Sequence, residues 1–186
     1  WSSDVCSSDL HQPAKIAAIE GHWENKPGEA TPLLLFGVPD MDEERTKYGL
    51  EIPALGSLIL THSLNKQVPA LKDFPPQNRP NSLIVFWSFR IMVGMGMLMI
   101  ALGVWSLWLR YRQRLFHSRA FQWFALAMGP AGLLALLAGW ITTEAGRQPW
   151  VIYGLLRTRD AVSLHSTAQM IVSLLVFIVV YCSVFG

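Results

Sequence analysis

The stretch IMVGMGMLMIALGVWSLWL, residues 91–109, contains no charged side chain. As a helix rising about 1.5 Å per residue it reaches about 29 Å, close to the hydrocarbon thickness of a bilayer, and so predicts a membrane span. Moving outward, residues 120–143 are also uncharged and carry Gly129-Pro130 in their middle, which predicts a second span with a kink. Residues 163–186 have no acid or base except His165 and are rich in Val, Ile, Leu and Phe, which predicts a third span, one that reads as cut short at its end.

Composition agrees with this class. Of 186 residues, 52% are hydrophobic and 15% charged, too apolar and too poor in charge for an ordinary soluble domain of this size. A net charge of +2, from 15 Lys and Arg against 13 Asp and Glu, carries no nucleic-acid footprint. The predicted fold is an all-α membrane protein, a partial bundle of about three transmembrane helices with an extramembrane loop region. Its divisions fall at residues 1–10, 11–81 and 82–186.

Between the first two spans lies LRYRQRLFHSR, residues 109–119, with Arg110, Arg112, Arg114 and Arg119 and no acid, the kind of short basic loop that stays cytoplasmic. Arg147, Arg157 and Arg159 in the next loop make the bias moderate. With the first loop inside, residues 11–81 and the GRQPW loop lie outside. The outer segment has turn formers at Pro27-Gly28, Pro39-Asp40, Pro53 and Pro75-Pro76, with Asp40, Asp42, Glu43 and Glu44 as an acidic cluster, and is expected to be a folded loop with short helices. Residues 52–64 are apolar but too short to cross a bilayer as a helix, and suit the interface.

Residues 1–10, WSSDVCSSDL, lack the basic and apolar regions of a signal peptide and are read as an artefactual leader. Cys6 and Cys182 lie in settings that suggest neither a disulfide nor a zinc site. No GxGxxG, Walker, CxxC or HExxH pattern occurs, which leaves nucleotide binding and zinc hydrolysis without support. His62, His117 and His165 are far apart and are not offered as ligands.

Chemistry gathers where two antiparallel spans meet. The first begins with FWSFRIMVGMGMLMI and the second ends with AGWITTEAGRQPW, so Arg90, Met92, Glu144 and Arg147 are expected at one membrane face. Trp140, Glu144 and Arg147 follow at intervals of four and three and share one helical face. An ionisable group at a membrane helix end is costly unless it has a partner or a cavity, which makes Glu144 a functional candidate. A plain interfacial ion pair with Arg147 explains it as well. Met92 is either packing, like Met95, Met97 and Met99, or a thioether ligand to haem iron.

Three separated segments, QPAKIAAIE (12–20), FRIMVG (89–94) and GWITTEAGRQPW (139–150), together resemble cytochrome bd ubiquinol oxidase subunit I, over residues 11–186. With the brief loop between the first two motifs, GLLRTRDAVS (154–163) is similar to the short-loop, cyanide-insensitive-like branch. The resemblance implies quinol oxidation in the outer loop and reduction of dioxygen to water, with low-spin haem b, high-spin haem b and haem d as cofactors. It implies Met92 as a ligand of low-spin haem b, Glu144 as a ligand of high-spin haem b, Arg90 and Arg147 as cations for electron or propionate charge, and Trp140 packing between cofactors. Lys15 and Glu20 correspond to the quinol-oxidising pair, although a spacing of five does not put them on one helical face; KIAAIEGHWE also reads as a solvated amphipathic segment.

The implied partners are a second cytochrome bd subunit, the amino-terminal half of the same subunit with its histidine haem ligands, quinol, dioxygen and lipid, with no nucleic acid. The implied setting is the bacterial cytoplasmic membrane with residues 11–81 periplasmic. The chain alone is expected to lack oxidase activity. The competing expectation is a haem-free membrane module, structural or from a transporter, in which Glu144 and Arg147 form a structural pair.

Overall fold

A computed structural model describes residues 12–25, 30–61, 68–161 and 166–185. The leader with Cys6, the Pro27-Gly28 turn, His62 and His165 lie outside the described residues. Among these described residues, three helical stretches are long and apolar enough to cross a membrane: Pro76–Tyr111, Arg119–Arg147 and Thr167–Val184. The helical membrane architecture expected from the sequence is therefore present.

Helix α1 (Pro13–Glu20) starts with Pro at its first position, where a missing N–H costs nothing, and ends at Gly21. Gly21 has φ 63°, the left-handed conformation that lets the following amides turn back onto the last carbonyls: its own N–H bonds to the Ala18 carbonyl at 3.2 Å, and that of His22 to Ala17 at 3.0 Å. A side chain there would also strike the Phe86 ring, 2.9 Å from where its Cβ would stand. Glycine is thus needed twice over, for its conformation and for the close approach.

The next segment departs from expectation. Strands β1 (Leu33–Asp40) and β2 (Arg45–Ile52) form an antiparallel hairpin where a loop with short helices was expected. The acidic cluster makes its turn: the Asp40 carboxylate accepts from the Asp42 and Glu43 amides and from Lys47, and Lys47 also bridges to Glu43. Helix α2 (Leu55–Thr61) is short, in keeping with a segment that does not cross. Two single 3₁₀ turns, Leu71–Asp73 and Pro76–Asn78, lead into the first span.

Helix α3 (Ser82–Tyr111) has Asn81 as its N-cap, the side chain accepting from Ile84 N–H at 3.3 Å. It begins nine residues before the uncharged stretch, and its 30 residues measure about 45 Å, more than a hydrocarbon core. The surplus is the part that packs. Ser82, Val85, Phe86 and Ser88 are buried, and a core of Ile16, Ala17, Ile19, Trp23, Leu71 and Val85 joins α1 to it. Beyond Met92 the helix is mostly exposed, an apolar surface suited to lipid or to further helices.

The second span consists of α4 (Arg119–Ala127) and α5 (Ala131–Arg147), broken at Met128-Gly129-Pro130, where the sequence places a kink. After α5 come a small antiparallel pair, β3 (Trp150–Ile152) and β4 (Leu156–Arg157), and then α6 (Thr167–Phe185). The described side chains of α6 are exposed throughout.

Candidate functional site

Helices α3 and α5 run antiparallel, and two contacts set their register. Thr142 Oγ1 donates to Ser88 Oγ at 2.9 Å. Gly139 faces Met92 so closely that a Cβ at 139 would stand 2.8 Å from the sulfur. Glu144, five residues past Gly139, is therefore about 7.5 Å nearer than Met92 to the end of the pair where α3 begins. The thioether and the carboxylate share one end of the hairpin, at staggered heights.

Helix α1 lies across that end. The stem of Lys15 fills the space beside Gly146, its Cγ 2.9 Å and Cε 3.2 Å from where a Cβ would be. Ser82 Oγ donates to the Ala18 carbonyl at 3.2 Å and ties α1 to the first turn of α3. Because α1 is helical through Glu20, Lys15 and Glu20 point about 140° apart at 3.6 residues per turn. Each meets a different neighbour.

On the α5 side, Lys15 is half-buried near the Glu144–Arg147 ion pair, in which Arg147 Nη2 donates to Glu144 Oε2. Burial pushes the Lys15 ammonium below its usual pKa and the Arg147 charge pushes it further, with Glu144 opposing. Lys15 itself makes no ion pair among the described residues. Trp140, on the same stretch of α5, is 64% exposed and presents an open indole face.

On the α3 side, Glu20 is 6% exposed and its Oε2 has no hydrogen-bond partner among the described residues. Burial pushes its carboxyl above the ordinary range, and the positive charge of Arg90 acts against this. Arg90 directs its donors to backbone carbonyls: Ile19 at 2.7 Å, Leu35 at 3.0 Å, Phe86 at 3.3 Å, and Leu34. Its guanidinium carbon also stands 3.4 Å from the centroid of the Phe86 ring. Arg90 thereby clasps the end of α1, strand β1 and its own helix.

The chain thus builds two neighbouring groupings, Lys15 with Glu144 and Arg147, and Glu20 with Arg90 two residues from Met92. Sequence reasoning named these residues but not the small ones that let them approach. Gly139 and Gly146 stand seven apart, two helical turns, on the face that receives Met92 and Lys15, and this spacing was the available signal. Trp23, whose buried indole N–H has no partner among the described residues, was also missed.

A haem iron, already ringed by a macrocycle, needs only one or two axial donors from the protein. Met92 offers a half-buried thioether, Glu144 a carboxylate, and Arg147 a guanidinium with donors to spare for an anionic propionate.

Residues 7–186 match the family described as cytochrome bd terminal oxidase subunit I. The chain belongs to that family. Within the cytochrome bd group it is 34% identical over 180 residues to cytochrome bd ubiquinol oxidase subunit 1 of Bacillus subtilis, covering 91% of this chain and 38% of that protein. It is 30% identical over 235 residues to cytochrome bd-II ubiquinol oxidase subunit 1 of Escherichia coli, covering 91% and 46%. A solved bd oxidase from Geobacillus thermodenitrificans superposes with a TM-score of 0.70 at 29% identity, covering 97% of this chain and 42% of that one. The chain therefore spans less than half the length of these relatives. Equal shares of it are spread over 235 residues in the E. coli protein and 180 in that of B. subtilis, so the E. coli relative carries extra length within the matched region.

Proposed function

We propose that this chain is the part of a terminal quinol oxidase subunit at which quinol is oxidised and its electrons enter. One arrangement carries the reading: α1 laid over the α3–α5 end, with Lys15 beside Glu144 and Arg147, and Glu20 beside Arg90, which is two residues from Met92 in α3. Oxidising a quinol releases two protons and two electrons, so the site needs a base, a group that holds the quinol oxygen, and an electron acceptor nearby.

Glu20 is suited to be the base. A buried carboxylate with a raised pKa binds a proton more strongly than a solvated one and can take it from a quinol hydroxyl. Lys15 is suited to hold the second feature, polarising a quinol oxygen through an ammonium that burial and Arg147 bring closer to proton exchange. Since the two point to different sides of α1, a quinol bound to both would reach around the helix rather than rest against one face.

Met92 would hold the iron of low-spin haem b and Glu144 that of high-spin haem b, with Arg147 and Trp140 placed for propionate and ring. Haem bound there would supply the one-electron chemistry by which a terminal oxidase with haem b and haem d couples quinol oxidation to reduction of dioxygen to water. Arg90 ties the end of α1 and strand β1 to α3. The remaining ligands, haem d and a second subunit belong to the rest of the enzyme. The basic turn at residues 110–119 favours the bacterial cytoplasmic membrane with α1 on the periplasmic side. The shorter matched length of the Bacillus relative supports the short-loop branch.

The test uses the complete subunit with its partner subunit and haems. Lys15→Ala should lower quinol-driven oxygen consumption about tenfold, the value of one charged hydrogen bond, while an artificial donor that bypasses the quinol site still supports turnover. Equal loss with both donors would remove the special role of Lys15, and absence of haem from the complete subunit would favour a structural module instead.

A further inference from the structure

The end of the helical pair opposite α1 carries charge that no acid among the described residues answers. Residues 110–119 include Arg110, Arg112, Arg114, His117 and Arg119 and no acid. Elsewhere the described arginines have partners: Arg45 with Glu43, Arg79 with Glu44, Arg90 with four carbonyls, Arg147 with Glu144, Arg157 with Asn78 and Arg159 with Asp160. Among the described residues, the four arginines of this turn have no anionic partner. Arg112 lies over the Trp108 ring, its guanidinium carbon 4.7 Å from the centroid, and that contact leaves its charge uncompensated.

The charges are also shaped into a site. A cleft of about 580 Å³ is lined by Trp108, Leu109, Arg112, Arg114, His117 and Ser118. Its backbone is fixed by hydrogen bonds from Arg112 N–H to Trp108, from Gln113 to Arg110 and from Arg114 to Leu109, at 2.9–3.1 Å. Gln113 takes φ 56° to close this turn. Arg112, Arg114 and His117 therefore line a hollow whose backbone these hydrogen bonds hold.

Depth identifies the ligand. The turn joins the end of the uncharged run 91–109 to the start of the uncharged run 120–143, so the cleft sits where lipid headgroups lie. Its apolar wall, Trp108 and Leu109, continues along α3 into exposed Val104 and Leu107. Acyl chains have a path down from the hollow, which a free anion would not use.

We infer that the α3–α4 turn binds the phosphate headgroup of an anionic phospholipid, held by Arg112 and Arg114 with its acyl chains along α3. The site is remote from the proposed quinol and haem residues and does not depend on that reading. Juxtamembrane cations attract anionic lipid electrostatically, but a hollow adds selectivity among cations that diffuse attraction lacks.

The test uses the intact oxidase in nanodiscs of mixed phosphatidylglycerol and phosphatidylcholine, with retained lipid counted by native mass spectrometry. The enzyme should retain phosphatidylglycerol several-fold above its share. The double variant Arg112→Gln/Arg114→Gln should lose that enrichment with haem spectra unchanged, whereas Arg110→Gln/Arg119→Gln, which removes equal charge outside the cleft, should keep it. Equal loss in both variants would show diffuse attraction and overturn the site. So would displacement of the lipid by inorganic phosphate, which marks a free-anion site, or no enrichment in the parent enzyme, the outcome expected if another protein segment covers the turn.

Discussion

The sulfur of Met92 rests on Gly139, so close that a methyl group at 139 would stand 2.8 Å from it. With the Ser88–Thr142 hydrogen bond one turn away, this contact fixes where the thioether sits between α3 and α5. Only the end of a flexible side chain meets the added atom, so Gly139→Ala should move the sulfur without parting the helices. Thermal stability of the complete subunit should then change by less than about 1 kcal/mol, while the low-spin haem spectrum shifts. An unaltered spectrum would show that the contact does not position the ligand.

Glu20 gives a pH prediction whose sign follows from burial. Its folded pKa is raised above the unfolded value near 4.5, so the folded state binds the proton more tightly. Its penalty is absent below pH 4.5, grows as pH rises through the folded pKa and is complete above it, where the buried carboxylate is charged. Glu20→Gln should remove this falling limb of stability and also slow quinol oxidation. Stability against pH that runs parallel in the two proteins above pH 4.5 would contradict the assignment.

Arg90→Lys keeps the charge and loses the fork. One ammonium cannot serve the part-buried carbonyls of Ile19, Leu34 and Phe86 and the exposed one of Leu35 at once, so part of this junction's hydrogen bonding is lost. The junction of α1, β1 and α3 should loosen, seen as faster amide hydrogen exchange in residues 16–20 and 33–36 and a raised KM for quinol. Exchange and KM at parent values would mean that the charge alone is what counts.

How far the sequence carried these results depended on whether a feature was local. Residues 91–109 announce a span because a charge-free run of that length has few other homes, and Gly129-Pro130 announces its break for equally local reasons. The β1–β2 hairpin was not legible: LLLFGVPD and RTKYGLEI lack clean alternation, and Pro39-Asp40 with its acidic neighbours reads as loop until Asp40 is seen gathering amides and Lys47. The divergence of Lys15 and Glu20 was plain from their spacing of five. Which partner each would find was not, because that depends on α1 settling over Gly146 and under Arg90, contacts made across more than 70 residues of chain.

The most direct test of the account is the reduced-minus-oxidised absorption spectrum of the complete oxidase carrying Met92→Leu, a substitution that keeps the volume and removes the sulfur. Loss or displacement of the low-spin haem b band, with the high-spin haem bands in place, is the predicted result. A fully native low-spin band would contradict it.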